Sequence, residues 1–251
     1  MRLRVLGCSG RLTPTHRSTG FLLNDDALLD AGTVGSALDV EAQERLRVLF
    51  LTHAHVDHVK ELPFVLMERA NKGLPSLILA AIPDVIDAVR SHLLNNVLWP
   101  DFTVIGDPPA LVYHEMPIAR AVRVSDYEAM AVPVHHTVPC AGFYLHRGGE
   151  GFIYTGDTAT TDAIWHVAKS RADVRTVMVE TTFSDDGEAV ARKTGHYCPR
   201  TLAADAAKAE RPLHLLITHM RPELRDPIAS DLAKAGLDAH LVEQDREYDL
   251  G

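Results

Sequence analysis

A continuous apolar run, RVLFL, begins at Arg47 and passes directly into Thr52-His53-Ala54-His55-Val56-Asp57-His58. Its length and lack of polar alternation predict a buried strand over residues 47–53. Four side chains that can hold a metal follow within six positions. Residues two apart on an extended chain point the same way, so His53 and His55 can face one ion. Asp57 and His58 come as the chain turns into the next helix and can face a second ion beside the first. Imidazole and carboxylate suit zinc, with manganese and iron as alternatives.

Histidine is over-used throughout, with 14 residues against 7 Phe and 6 Tyr. Three residues elsewhere offer partners of the right type. His136 ends the run in PVHHTVP, Asp157 ends GFIYTGD, and His219 ends HLLITH. Each lies at the C-terminal end of a strand-like run, where loops gather on one rim of a sheet. His135, next to His136, is the alternative at that position.

The remaining patterning alternates between strands and helices. Strands are expected over MRLRVLG, GFLLN and ALLDAG at the start, then at 76–81, 111–116, 120–126, 128–136, 142–147, 151–157, 175–181, 214–219 and 238–243. Helices are expected at about 59–72, 84–96, 160–170, 200–210 and 228–235. Helices at both ends of this order flank two clusters of strands, which suggests two sheets face to face with helices outside. No linker divides the chain, so one domain over residues 1–251 is expected.

The order HAHVDH, a single His, GDT and a late His resembles the metallo-β-lactamase superfamily of binuclear hydrolases. The resemblance implies a four-layer αββα sandwich in the α/β (α+β) class, two mixed sheets flanked by helices, with two divalent ions at the edge between the sheets. It assigns His53, His55 and His136 to the first ion, Asp57, His58 and His219 to the second, and Asp157 to both. His55 stands where the redox branch uses Glu, which favours hydrolysis. HTVPCAGF, ETTF (180–183) and GHYCP (195–199) are similar to the phosphodiester-cleaving branch, in which an extra His, here His196, sits near the scissile phosphate.

Within that branch, SHLLNNVLWPDF (91–102) and LITHMRPE (216–223) resemble class II 3′,5′-cyclic-nucleotide phosphodiesterases. The competing branch is the tRNA 3′-processing endonuclease, tRNase Z, whose extended basic arm has no counterpart here. Small-ester or lactone hydrolysis, and a metal-binding scaffold without turnover, are the other classes. An intact seven-residue set counts against the scaffold. The resemblance implies attack on phosphorus by a hydroxide bridging two ions, releasing a 5′-monophosphate. Asp57 and His196 are the expected catalytic residues, His196 donating a proton to the leaving 3′ oxygen or bonding the phosphate. Alternatively, His196 caps the helix from residue 199. Trp99 and Arg221 are candidate substrate contacts, and Glu180 a candidate partner for a ligand histidine.

Composition limits the partners. Lys and Arg total 25 against 34 Asp and Glu, a net charge of −9. That balance argues against nucleic acid or an anionic membrane as partner and leaves a small phosphodiester, drawn in by the ions. Three Cys without a CxxC pair give no disulfide framework and fit a reducing compartment. Neither a signal-peptide-like stretch nor a membrane-length apolar run occurs, so a cytoplasmic location is expected. A homodimer is compatible with the resemblance.

Overall fold

The computed structural model describes residues 1–251. The first half lays down β1 (Arg2–Gly7), β2 (Gly20–Leu23), β3 (Ala27–Leu29), α1 (Val40–Glu44), β4 (Val48–Phe50), α2 (Val56–Val59), α3 (Leu62–Lys72), β5 (Leu77–Ala81), α4 (Pro83–His92) and β6 (Leu111–Glu115). The second half begins with β7 (Val122–Val124), β8 (Tyr127–Pro133), β9 (Ala141–Arg147), β10 (Glu150–Tyr154), α5 (Asp162–Ser170) and β11 (Val174–Glu180). It ends with α6 (Glu188–Thr194), α7 (Pro199–Ala206), β12 (His214–Thr218), α8 (Arg225–Lys234), β13 (Ala239–Leu241) and β14 (Glu247–Asp249).

Two seven-stranded sheets result, ordered β14-β1-β2-β3-β4-β5-β6 and β13-β12-β11-β10-β9-β8-β7. Each is mixed. The run β3 to β6 and the run β10 to β13 are parallel, linked by helical crossovers, and the remaining pairings are antiparallel. Parallel strands covered on both faces are expected to be apolar throughout. β4 and β3 are accordingly buried at every position.

The larger apolar core lies between the sheets, where Phe21 meets Tyr154 and Phe50 meets Tyr127 and Phe143 edge-on or tilted. A second core, holding Trp165, Tyr197 and Ile228, fills the space under α5, α7 and α8. The two sheets and their outer helices match the expected four layers.

The departures have local causes. The helix expected over 84–96 ends at His92, because the Asn95 side chain takes the Val97 and Leu98 amides and Asn96 turns left-handed. The helix expected from Val59 breaks into α2 and α3 around Lys60 and Glu61, placing Asp57 and His58 in a separate helical turn. The strand at 120–126 shrinks to three residues. Sequence patterning does not predict α1, α6 or β14. α1 opens on an ordinary Asp39 cap bonded to the Ala42 amide, and β14 offers Tyr248 as its one apolar residue.

One glycine is required by close approach. A Cβ on Gly32 would lie 1.7 Å from the Asp57 carbonyl oxygen, because the loop after β3 presses on α2. That loop is tied there by Ala31 N to His58 O at 2.7 Å and Glu61 N to Ala31 O at 3.0 Å. Gly32→Ala must push α2 away, at a cost of about 1–3 kcal/mol for overpacking. A lower thermal midpoint, with weaker metal retention, is the expected result. An unchanged melting curve would contradict the tight contact.

Candidate metal centre

The parallel strands of both sheets deliver their C-terminal ends to one rim. Beyond β4 the chain carries His53 and His55, and α2 adds Asp57 and His58. From the second sheet, His136 follows β8, Asp157 follows β10 and His219 follows β12. Direct links hold the rims together. Ala141 N donates to Thr52 O at 3.1 Å, Gly10 N to Met220 O at 3.1 Å, and His219 N to Cys8 O at 2.9 Å. All seven residues named from the sequence therefore stand together.

Their atoms form two adjoining groups. His55 Nδ1 lies 3.1 Å from His53 Nε2 and 3.2 Å from His136 Nε2. His219 Nε2 lies 3.4 Å from Asp57 Oδ2, and His58 Nε2 lies 3.9 Å from the same oxygen. Asp157 Oδ2 sits between the groups, 3.9 Å from His53 Nε2, 3.5 Å from His58 Nε2 and 3.4 Å from His219 Nε2. Ligand atoms about 2.1 Å from a tetrahedral ion are separated by roughly 3.4 Å. The observed spacings suit an ion in each group.

Two further observations test that fit. His58 Nε2 is fully buried with no hydrogen-bond partner, although it faces both carboxylates. A buried polar atom left unpaired is costly, and a cation there would remove the cost. The donor chemistry also matches. Burial, reinforced by His58, drives His53 well below the usual imidazole range, and burial lowers His55 and His136 too. These three rings stay neutral, with lone pairs available. Burial alone would raise both carboxyls, but His219 and His58 outweigh it and hold Asp57 and Asp157 ionised. For His58, burial is outweighed by Asp157 and Asp30, which keep the ring protonated. A divalent ion supplies the positive charge that this proton otherwise provides.

Behind the cluster, most ring protons are assigned by their partners. His58 Nδ1 donates to Asp30 Oδ2 at 2.8 Å. His53 Nδ1 donates to Thr52 Oγ1 at 3.0 Å, and that hydroxyl donates to Asp30. His136 Nδ1 donates to the Gly195 carbonyl at 3.0 Å. His219 Nδ1 donates to Thr182 Oγ1 at 2.9 Å, and Thr182 donates to Glu180 Oε2 at 2.9 Å. Each bond leaves Nε2 facing the centre, where an ion would displace the second proton of His58, while His55 turns its Nδ1 inward. Asp30 and His219 both hold left-handed backbones, φ 56° and 59°, a strained state for non-glycine residues that clusters at functional sites.

Of the adjacent pair, His136 enters the cluster. His135 is exposed and donates Nδ1 to Thr160 O at 2.7 Å, away from it. His196 does not cap α7, since Cys198 holds that position. Instead its Nδ1 donates to Glu180 Oε1 at 2.9 Å, and a ring nitrogen comes within 4.8 Å of ligand atoms of His136 and Asp157. Glu180 thus serves His196 directly and His219 through Thr182. Burial would lower His196, but the Glu180 carboxylate raises it to about 9.

The cleft over the cluster has a volume of about 440 Å3, and Arg11, Arg221 and Phe183 stand on its walls. Arg11 and Arg221 each pair with Glu223 at 3.1 Å. Arg11 escaped the sequence reading because it lies in an irregular loop without a motif. Trp99 is not brought to the cleft. It packs edge-on against Phe64, with ring centroids 5.2 Å apart. Cys140 and Cys198 are buried and free. No helix is long and apolar enough to cross a membrane.

A family model for the beta-lactamase superfamily domain matches residues 26–220. The zinc phosphodiesterase ELAC protein 2 homolog of Caenorhabditis elegans is 28% identical over 87% of this chain and 32% of its own length. The probable 3′,5′-cyclic-nucleotide phosphodiesterase of Yersinia pestis is 23% identical over 80% of this chain and 67% of its own. The chain thus spans about a third of the first relative and two thirds of the second. The human tRNase Z short form shares the fold, with a TM-score of 0.73 and 19% identity over 100% of both chains.

Proposed function

The chain belongs to the beta-lactamase superfamily, and from that premise we propose that it is a zinc-dependent phosphodiesterase acting on small 3′,5′-cyclic nucleotides such as cAMP and cGMP. The observation that carries this reading is His196 on the wall of the cleft that also holds Asp157, its ring fixed from behind by a 2.9 Å hydrogen bond to the buried Glu180. Two bound divalent ions supply a nucleophile from water near neutral pH and offset phosphate charge. His53, His55 and His136 would hold one ion, Asp57, His58 and His219 the other, and Asp157 both. Manganese and iron are the alternatives to zinc.

The chain's own groups complete the chemistry. Two divalent ions, the two ionised aspartates and one hydroxide would together leave the site about one positive charge, enough to hold one phosphodiester anion. Arg11 and Arg221 add positive charge on the rim, so attraction is local although the whole chain is acidic. Glu180 orients the His196 ring and keeps it protonated, and the other nitrogen of that ring can give its proton to the leaving ribose oxygen. The same acidic balance disfavours a large polyanion and fits a small diester. The names of the two relatives, a zinc phosphodiesterase and a cyclic-nucleotide phosphodiesterase, accord with this reading.

The test offers cAMP, cGMP, a precursor tRNA and a simple lactone to the zinc- or manganese-loaded protein. Release of 5′-monophosphate, lost in Asp57→Ala, is expected. Cleavage of the RNA alone, with no cyclic-nucleotide turnover, would overturn the proposal.

His196 also sets a pH dependence. Its raised pKa means the donor form is present below about 9 and is lost as pH rises through that value. Divalent ions held nearby would bring the midpoint lower. The turnover number is therefore expected to fall between neutral pH and about 9. His196→Ala should lower it about 100-fold or more and remove that alkaline limb. A variant that keeps the limb would show that another group donates the proton.

A further inference from the structure

A second cavity, of about 330 Å3, opens beside the metal cleft and shares His55 with it as a wall. We propose that this cavity is the nucleobase subsite. The inference rests on the phosphodiesterase reading and names the part of the substrate that lies beyond the phosphate.

Its lining is aliphatic. α4 contributes Val85, Ala88 and Val89, three positions on one helical face. α2 adds Val56, the loop after α4 adds Leu98, and the segment after His136 adds Val138. Two of these side chains are otherwise unaccounted for in the fold. Val56 is 71% exposed and Leu98 is 63% exposed, although both stand beside a candidate active site. Apolar surface left open in a concavity next to the chemistry is what a ligand would cover.

The occupant is restricted by what the rim carries. Asp84 and His92, at opposite ends of the same α4 face, are the cavity's polar side chains apart from His55. A carboxylate there repels a second phosphate, so the anionic end of a ligand belongs over the metals. Asp84 accepts hydrogen bonds, as the amino and ring N–H groups of a base require, while aliphatic walls cover both faces of a flat ring. A base seated here and a phosphate over the metals place the nucleotide across His55.

Ribose 5-phosphate and 5′-AMP have the same phosphate and sugar and differ only in the base. Their dissociation constants for the zinc-loaded protein, measured by calorimetry, isolate the cavity without requiring turnover. 5′-AMP is expected to bind at least about ten-fold more tightly. Ala88→Trp, which fills the cavity, and Leu98→Ser, which opens a wall, should each move the ratio of the two constants toward one. Because it is a ratio, general damage to the metal site cancels. A ratio near one in the native protein, or a high ratio unchanged in both variants, would overturn the subsite. cAMP turnover accompanied by a ratio near one overturns the subsite and leaves the phosphodiesterase reading standing. A high ratio that both variants reduce, without any diester turnover, supports the cavity and overturns the phosphodiesterase reading instead.

Discussion

Asp157→Ala is expected to yield protein with fewer than two zinc ions per chain and turnover reduced on the order of 1000-fold or more. Removing an outer partner of a metal ligand ordinarily costs 10–100-fold, and Asp157 lies closer to the centre than any such partner. Its Oδ2 is the one carboxylate oxygen within 3.9 Å of ring nitrogens from both groups. The residue is only 3% exposed, so water cannot replace the lost charge. Asp157→Asn keeps the shape and tests the charge alone, and it should fail nearly as completely. Elemental analysis after dialysis, with initial rates at saturating zinc, checks both variants. Two retained ions and near-native rates would remove Asp157 from the centre.

The two halves of this site were unequally legible. His53, His55, Asp57 and His58 share one short motif behind one buried strand, so local spacing revealed them. His136, Asp157 and His219 ended separate apolar runs. The rule that parallel strands end on a common rim, together with the family resemblance, connects them. The resemblance favours His136 over His135, and the structure supplies the reason, turning the His136 ring toward Gly195 and the His135 ring toward Thr160. His196 was marked by resemblance, but its charge state follows from Glu180, sixteen residues away. Arg11 and Asp30 gave no signal at all. Arg11 lies in loop-like sequence and Asp30 inside the strand-like run ALLDAG, and their roles arise from contacts with segments far along the chain.

The fold shows the same division. Long apolar strands were visible because burial on two faces leaves little compositional freedom. β14 was not, because a three-residue edge strand is held by its backbone bonds to β1 rather than by an apolar pattern. Trp99, read as a possible stacking surface, packs on Phe64 instead, while its neighbour Leu98 reaches the cavity beside His55.

The second large effect is expected at Asp30, which touches no candidate ion. Its carboxylate is fully buried and receives the Thr52 amide at 2.8 Å, the Thr52 hydroxyl at 3.0 Å, His58 Nδ1 at 2.8 Å and the Tyr154 hydroxyl at 2.7 Å. Through Thr52 it also governs His53. Asp30→Ala leaves these donors buried and unpaired, with His58 deprived of its partner. Breaking a buried charge network of this kind costs about 3–5 kcal/mol. Metal affinity should fall 10–100-fold as well, because His53 and His58 lose the bonds that fix their orientation.

The two losses are separable. Denaturant unfolding of the metal-free protein reads the first directly. The additional stabilisation by zinc at a fixed excess should then shrink by about 1.4–2.7 kcal/mol, the equivalent of that affinity loss. Asp30→Asn distinguishes acceptor from spacer, since an amide must turn its NH2 toward one of four donors and cannot satisfy them all. It should therefore resemble alanine more than aspartate in both measurements. If Asp30→Ala matches the native protein in metal-free stability and in zinc affinity, the histidines hold their positions without it. The positioning role would then fall to the strained backbone itself.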